Sequence, residues 1–143
     1  MRDECQALAR VHARVSNAIA GYDELERRST GSTRMPGVAV AMKAMHLRHR
    51  KGVEGMLASR GCEPSPEGSF VALLQEGVIR FRDWIDDLDD DIPGRLLRTE
   101  ERIVGLYDEA IDAFRNSAPE RSALAEQRSE IAARIREAER RAA

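Results

Sequence analysis

The sequence has few aromatic residues and no long apolar run, and these two scarcities narrow its class. Aromatic residues make up 4% of the 143 residues, which argues against nucleic-acid-binding folds that stack bases and against most small β-barrels. The longest apolar runs, among them Val38 to Met42, are far shorter than the ~20 residues that a membrane-spanning helix needs. Charge is nearly balanced, with 23 basic and 25 acidic residues. We therefore expect neither a nucleic acid nor a membrane as partner.

Cysteine is also scarce, and the start of the chain is polar. No apolar stretch follows Met1 to Gln6, so no secretory signal is expected and the cytoplasm is the default compartment. The two cysteines, Cys5 and Cys62, make no metal-binding motif by themselves. A helical hairpin that turns near residue 32 would bring them to the same end of the fold. Because cytoplasmic thiols stay reduced, we predict that both remain free thiols.

Helical periodicity is the main pattern in the sequence. Apolar residues recur at spacings of three and four, and no stretch alternates with period two for long, which predicts an all-α fold. Gly61 follows the second periodic segment and is expected to end that helix. Short connections favour antiparallel neighbours. The pattern predicts one helical-bundle domain over residues 1–143, with helices at about 4–28, 36–60, 69–88, 92–116 and 119–142.

Three polar residues interrupt the apolar faces of the predicted helices. His46 and His49 share one face of helix 36–60, and Glu100 falls inside the apolar arc of helix 92–116. A buried lone carboxylate is costly unless it is paired, whereas two imidazoles at this spacing can bind a metal. We predict that His49 and Glu100 are buried in one polar network, with Glu100 nearest Met45 and His46. The network is either structural or a metal site made of His46, His49 and Glu100.

Four more residues are expected to belong to a structural polar network. Tyr22 is central on the first helix, and Glu26 lies one turn later on the same side; Gln127 and Arg134 lie at the edge of the last apolar stripe. Arg134 or a histidine is the expected partner of Glu100. No catalytic residue is predicted, because the serines lie in caps and loops and no strand-turn-helix elbow is present.

Three short segments carry a family resemblance. They are Gly61–Ser69, which opens the helix that contains Trp84; Leu97–Glu101 followed by Tyr107–Ala110; and Gly21–Tyr22 with acidic residues just after it. In these segments the chain resembles the small bacterial ferritin-like four-helix-bundle proteins that are classed as a domain of unknown function. The resemblance implies an up-down bundle of four core helices in which helix 69–88 is the crossover, so that helix 92–116 runs parallel to helix 36–60.

The metal ligands of ferritin-like proteins are only partly present. Ferritin-like di-iron sites use a glutamate from each of two helices and Glu-x-x-His from each of the other two, and this sequence has no Glu-x-x-His. We therefore interpret the chain as a non-catalytic bundle without a cofactor, in a stress-associated or protein-interaction role. The alternative is a bundle that binds iron or manganese through His46, His49 and Glu100, with an oxidoreductase or metal-handling activity.

The expected binding partner is a second copy of the chain. Leu47 and Ile79 are apolar residues that point outward from their predicted helices, and contiguous apolar surface marks an interface. If they lie on one side of the bundle, they would seed a two-fold homodimer. A monomer, or an oligomerisation module that works through helix 119–142, are the alternatives.

Overall fold

A computed structural model describes residues 2–28, 37–62 and 92–142 of the chain. These ranges contain four helices and no strand: α1 (Arg2–Arg28), α2 (Gly37–Ser59), α3 (Ile92–Ala113) and α4 (Ala118–Ala142). The predicted all-α class is confirmed. The predicted helix 69–88, with Ile79 and Trp84, lies outside the described residues.

The four helices pack as two antiparallel hairpins. α1 contacts α2 and α3, and α4 contacts α3 and α2. Helices α2 and α3 run parallel, because His46 contacts Glu100 at mid-height and Arg60 lies 4.8 Å above the ring of Phe114 at one end. Cys62 and Ile92 therefore lie at opposite ends of the bundle, and the chain between them connects one end to the other. This parallel direction is the one expected from the sequence.

The core lies between the four helices and is largely aliphatic. Its apolar residues come from the stripes whose spacing predicted the helices, which explains why each helix buries one face. Among the described helices, none combines the length and the apolar content that a bilayer crossing requires. The most deeply buried apolar side chains larger than alanine are Leu8, Val11, Val15, Tyr22, Met45, Val53, Ile103, Tyr107, Phe114, Leu124 and Ile131.

Helix α2 ends at a glycine, as predicted. Gly61 has a φ of 70°, a left-handed conformation that glycine adopts without steric cost. Its N–H donates to the Ala58 carbonyl at 3.1 Å, and the N–H of Cys62 donates to the Leu57 carbonyl at 2.8 Å. This pair of bonds is a Schellman motif. It turns Cys62 back towards the core, against which it packs.

The two cysteines form a disulfide, Cys5–Cys62, with their α-carbons 5.5 Å apart. The prediction that both lie at one end of the hairpin is confirmed, but the prediction of free thiols is wrong. That prediction came from the expected compartment, whereas the hairpin register brings the two α-carbons within bridging range.

Candidate functional site: a buried histidine–carboxylate cluster

Glu100 is a fully buried carboxylate at the centre of the bundle. It occupies an inward position of α3 between the core residues Leu96 and Ile103. The Nε2–H of His46, on α2, donates to both of its oxygens, at 2.8 Å and 2.9 Å. The hydroxyl of Tyr22, on α1, donates to Oε1. One carboxylate thus joins three helices.

His49 lies one turn beyond His46 and pairs with a different carboxylate. Its Nε2 is 2.8 Å from Oε1 of Glu130 on α4. Glu130 also accepts from Arg48, with Nη2 at 2.6 Å. The side chain of His49 is 5% exposed, that of Glu130 33% and that of Arg48 60%. This second pair therefore extends from the core to the surface along the α2–α4 seam.

A tyrosine and a glutamine lie beside the second pair. The hydroxyl of Tyr107 donates to Oε1 of Gln127 at 2.6 Å, and the Tyr107 ring meets the His49 ring edge-on at 6.4 Å. Nε2 of Gln127 reaches the His49 carbonyl at 3.5 Å. A Cβ at Gly52 would come within 2.8 Å of that amide nitrogen, so the glycine makes room for Gln127 between α2 and α4.

The surroundings set the protonation states of the cluster. Burial, with the nearby charge of Glu100, raises the pKa of both Tyr22 and Tyr107, so both hydroxyls remain hydrogen-bond donors. Burial lowers the pKa of His49 although Glu130 opposes it, which favours the neutral imidazole. The hydrogen bond from Arg48 is the main cause that lowers the pKa of Glu130 to about 2. At neutral pH the second pair is therefore the carboxylate of Glu130 beside a neutral His49.

Five of the residues singled out in the sequence lie in this cluster. His49 and Glu100 are both buried, as predicted, and Glu100 contacts His46 rather than Arg134. The rings of His46 and His49 meet edge to face, with their centroids 6.4 Å apart. This ring contact, and not a hydrogen bond, links the His46–Glu100 pair to the His49–Glu130 pair. The five residues are Tyr22, His46, His49, Glu100 and Gln127.

Glu26 and Arg134 do not belong to the cluster, contrary to the sequence expectation. The side chain of Glu26 is 61% exposed and accepts from Lys43 Nζ at 2.8 Å. Arg134 is 38% exposed and lies 3.8 Å from Glu137 on its own helix. Both residues lie at the margin of an apolar stripe, and long charged side chains at such margins extend into water.

Two cluster residues, Glu130 and Tyr107, were not identified as polar members from the sequence. The ring of Tyr107 is buried in the apolar core, and its hydroxyl donates to Gln127. Glu130 lies three residues after Gln127, so the two share one side of α4. That spacing was the available signal, but only the register of α2 against α4 shows that this side faces His49.

The donor set provides two open metal-ligating atoms. Nδ1 of His46 and Nδ1 of His49 are buried without a hydrogen-bond partner. Histidines that bind metals commonly donate their other ring N–H to a carboxylate, as both do here. Yet each histidine faces its own glutamate, and no three His, Cys, Asp or Glu side chains within residues 2–28, 37–62 and 92–142 gather into a metal-binding group. The arrangement does not fit a ferritin-like di-iron centre, and we derive no reaction through a metal.

Comparison of the chain with protein-family models, with curated proteins and with solved structures finds no match. The ferritin-like resemblance stays a prediction, and the function is argued from the cluster itself.

Proposed function

We propose that the protein is a non-catalytic four-helix bundle of ferritin-like topology that acts through contact with other proteins. The observation that carries the non-catalytic assignment is the state of Glu100. Its oxygens accept hydrogen bonds from His46 and Tyr22, on two other helices. The carboxylate thus connects helices through hydrogen bonds and is not an open reactive group.

The hydrogen bonds of Glu100 with His46 and Tyr22 specify one packing of the bundle. A buried carboxyl group is costly to desolvate, and its hydrogen bonds offset that cost, so the loss of a partner leaves an unsatisfied buried group. Glu100 is satisfied only when His46 and Tyr22 lie at its own level. A slip of α3 by one turn would take the carboxylate out of reach of both His46 and Tyr22, so the cluster favours this register over its neighbours.

Glutamine at position 100 tests this role. Glu100→Gln keeps the shape but not the charge, and we expect a lower free energy of unfolding together with a less specific register. Glu101→Gln is the matched control, because Glu101 is the exposed neighbour. Urea unfolding followed by circular dichroism measures the free energy of unfolding of both variants. Equal unfolding free energies for the two variants would contradict the proposal.

Iron or manganese binding is the second candidate function. The observation in its favour is the pair of buried Nδ1 atoms without partners on His46 and His49. A metal that binds only the folded chain would raise the thermal midpoint. Anaerobic titration with iron(II) or manganese(II) tests it: this candidate requires a rise that His49→Ala abolishes and that His12→Ala, outside the cluster, retains.

A further inference from the structure

The disulfide lies where two helix ends and the connecting segment meet. Cys5 is near the start of α1, and Cys62 follows the Schellman motif that ends α2. Both cysteines are partly exposed, so a thiolate from solution can reach the bond. Cys62 is also the third residue after the end of α2 at Ser59. The bond therefore fixes the point at which the chain leaves α2.

Arg60 holds the same end of the bundle independently of the disulfide. Its guanidinium contacts Glu4 of α1 and Glu120 of α4, the latter at 3.1 Å. It donates to the hydroxyl of Ser117 at 3.0 Å and lies over the ring of Phe114. Four elements of this end thus stay connected when the sulfur–sulfur bond is cut. Reduction is expected to loosen the end locally while the rest of the bundle stays folded.

We propose that Cys5–Cys62 is a reversible redox site that opens and closes within the native fold. The reductant is a dithiol of the thioredoxin class. One of its thiolates attacks a sulfur of the disulfide, and the other sulfur leaves as a thiolate that takes a proton from water. The second thiol of the reductant then attacks, as a thiolate, the reductant's own sulfur in the mixed disulfide, and the other cysteine sulfur of this chain leaves as a thiolate that takes up the proton released by that thiol. This chain gains two electrons and two protons as two thiols, and the reductant becomes a disulfide.

The two redox states differ in how the ends of α1 and α2 are anchored. In the oxidised state, Cys62 is tied to the first turns of α1. In the reduced state, the Schellman bonds of Gly61 and Cys62 and the contacts of Arg60 remain, but the start of α1 is no longer covalently held. The site thereby couples the redox state to the anchoring of the start of α1 on the end of α2.

The test is reduction of the wild-type chain without denaturant. We expect a small dithiol to release two alkylatable thiols per chain, counted by mass spectrometry, and re-oxidation to remove them. Hydrogen exchange is expected to rise on the order of tenfold in residues 2–8, the released start of α1. Exchange in α3 and α4 is expected to stay unchanged. Cys5→Ser is the matched control, because its exchange should not respond to the reductant.

Three results would overturn the proposal. One is a purified, air-exposed chain in which both thiols are free. Another is a bond that is reduced only in denaturant, which would make it a permanent structural cross-link. The third is faster exchange across all four helices after reduction. The comparison of oxidised with reduced wild type needs no substitution, so it decides the matter even if Cys5→Ser does not fold.

Discussion

Among single residues, Glu100 is a carboxyl group with no access to water, so its stability depends on its hydrogen-bond partners. Its hydrogen-bond partners, His46 and Tyr22, differ in the groups that they contribute. His46 contributes a ring that fills the core and an N–H that faces both oxygens. Tyr22 contributes a hydroxyl on a ring that would stay packed without it. Substitutions at the two positions therefore separate the loss of a partner from the loss of a single hydrogen bond.

His46→Ala is expected to lower the free energy of unfolding by ~3–5 kcal/mol, because it leaves a buried carboxylate without its main partner. Tyr22→Phe is expected to cost ~1–3 kcal/mol, because Oε1 of Glu100 loses one of its two hydrogen bonds and keeps the one from His46. Urea unfolding measures both. The order of the two effects is the decisive point: a Tyr22→Phe effect larger than that of His46→Ala would show that the histidine is not the main partner.

His49 makes the stability depend on pH. Burial lowers its pKa below the ordinary value of 6.5, so the unfolded chain takes up a proton more readily than the folded one. The stability that the folded chain gains from this difference in pKa is present above pH 6.5 and is lost as the pH falls below it. We expect the urea midpoint to fall between pH 7.5 and 5.5 less steeply in His49→Gln than in wild type. His12→Gln should keep the wild-type slope; equal slopes in all three proteins would disprove the assignment.

At the scale of elements, much of the fold follows from local patterns. The apolar spacing and Gly61 predict α2 to within a residue at each end, as 36–60 against Gly37–Ser59. Glu130 could not be assigned in the same way. Periodicity gives the direction of a side chain around its own helix, whereas the partner of Glu130 depends on how α4 aligns with α2. That alignment is a property of the assembled bundle.

The end of α2 offers a test with a matched control on the same helix. Gly61→Ala forces a side chain into a left-handed conformation and is expected to destabilise the fold by ~1–2 kcal/mol. Gly55→Ala lies inside α2, is exposed and meets nothing within 4 Å. It is expected to stabilise the fold by up to ~1 kcal/mol, because alanine is the better helix former. Thermal midpoints measure both, and shifts of the same sign would contradict this account of the helix end.

At the scale of the whole molecule, helix α2 carries an exposed apolar stripe. Val40 is 55% exposed and Leu47 40% exposed, and a spacing of seven places them on one face of the helix. Ala44 lies between them and is exposed too. Ile79, the other residue expected at a dimer interface, lies outside the described residues. The homodimer stays a prediction that now includes Val40.

Light scattering at micromolar concentration tests the homodimer. We expect a mass of two chains of 16.0 kDa each, and the mass of one chain for Leu47→Arg, because a buried unpaired charge opposes association. Glu101→Arg, at an exposed position of α3, should leave the dimer intact. A single-chain mass for the wild type would show that the stripe of Val40, Ala44 and Leu47 is ordinary surface.

The central claim is that the buried cluster joins helices and holds no catalytic metal. Its most direct test is the metal content per chain, measured by mass spectrometry, of protein purified from cells supplied with iron and manganese. The account predicts far less than one ion per chain, and the same content in wild type and in His49→Ala. One or more ions per chain in the wild type, absent from His49→Ala but retained in His12→Ala, would contradict the account and establish a metal site.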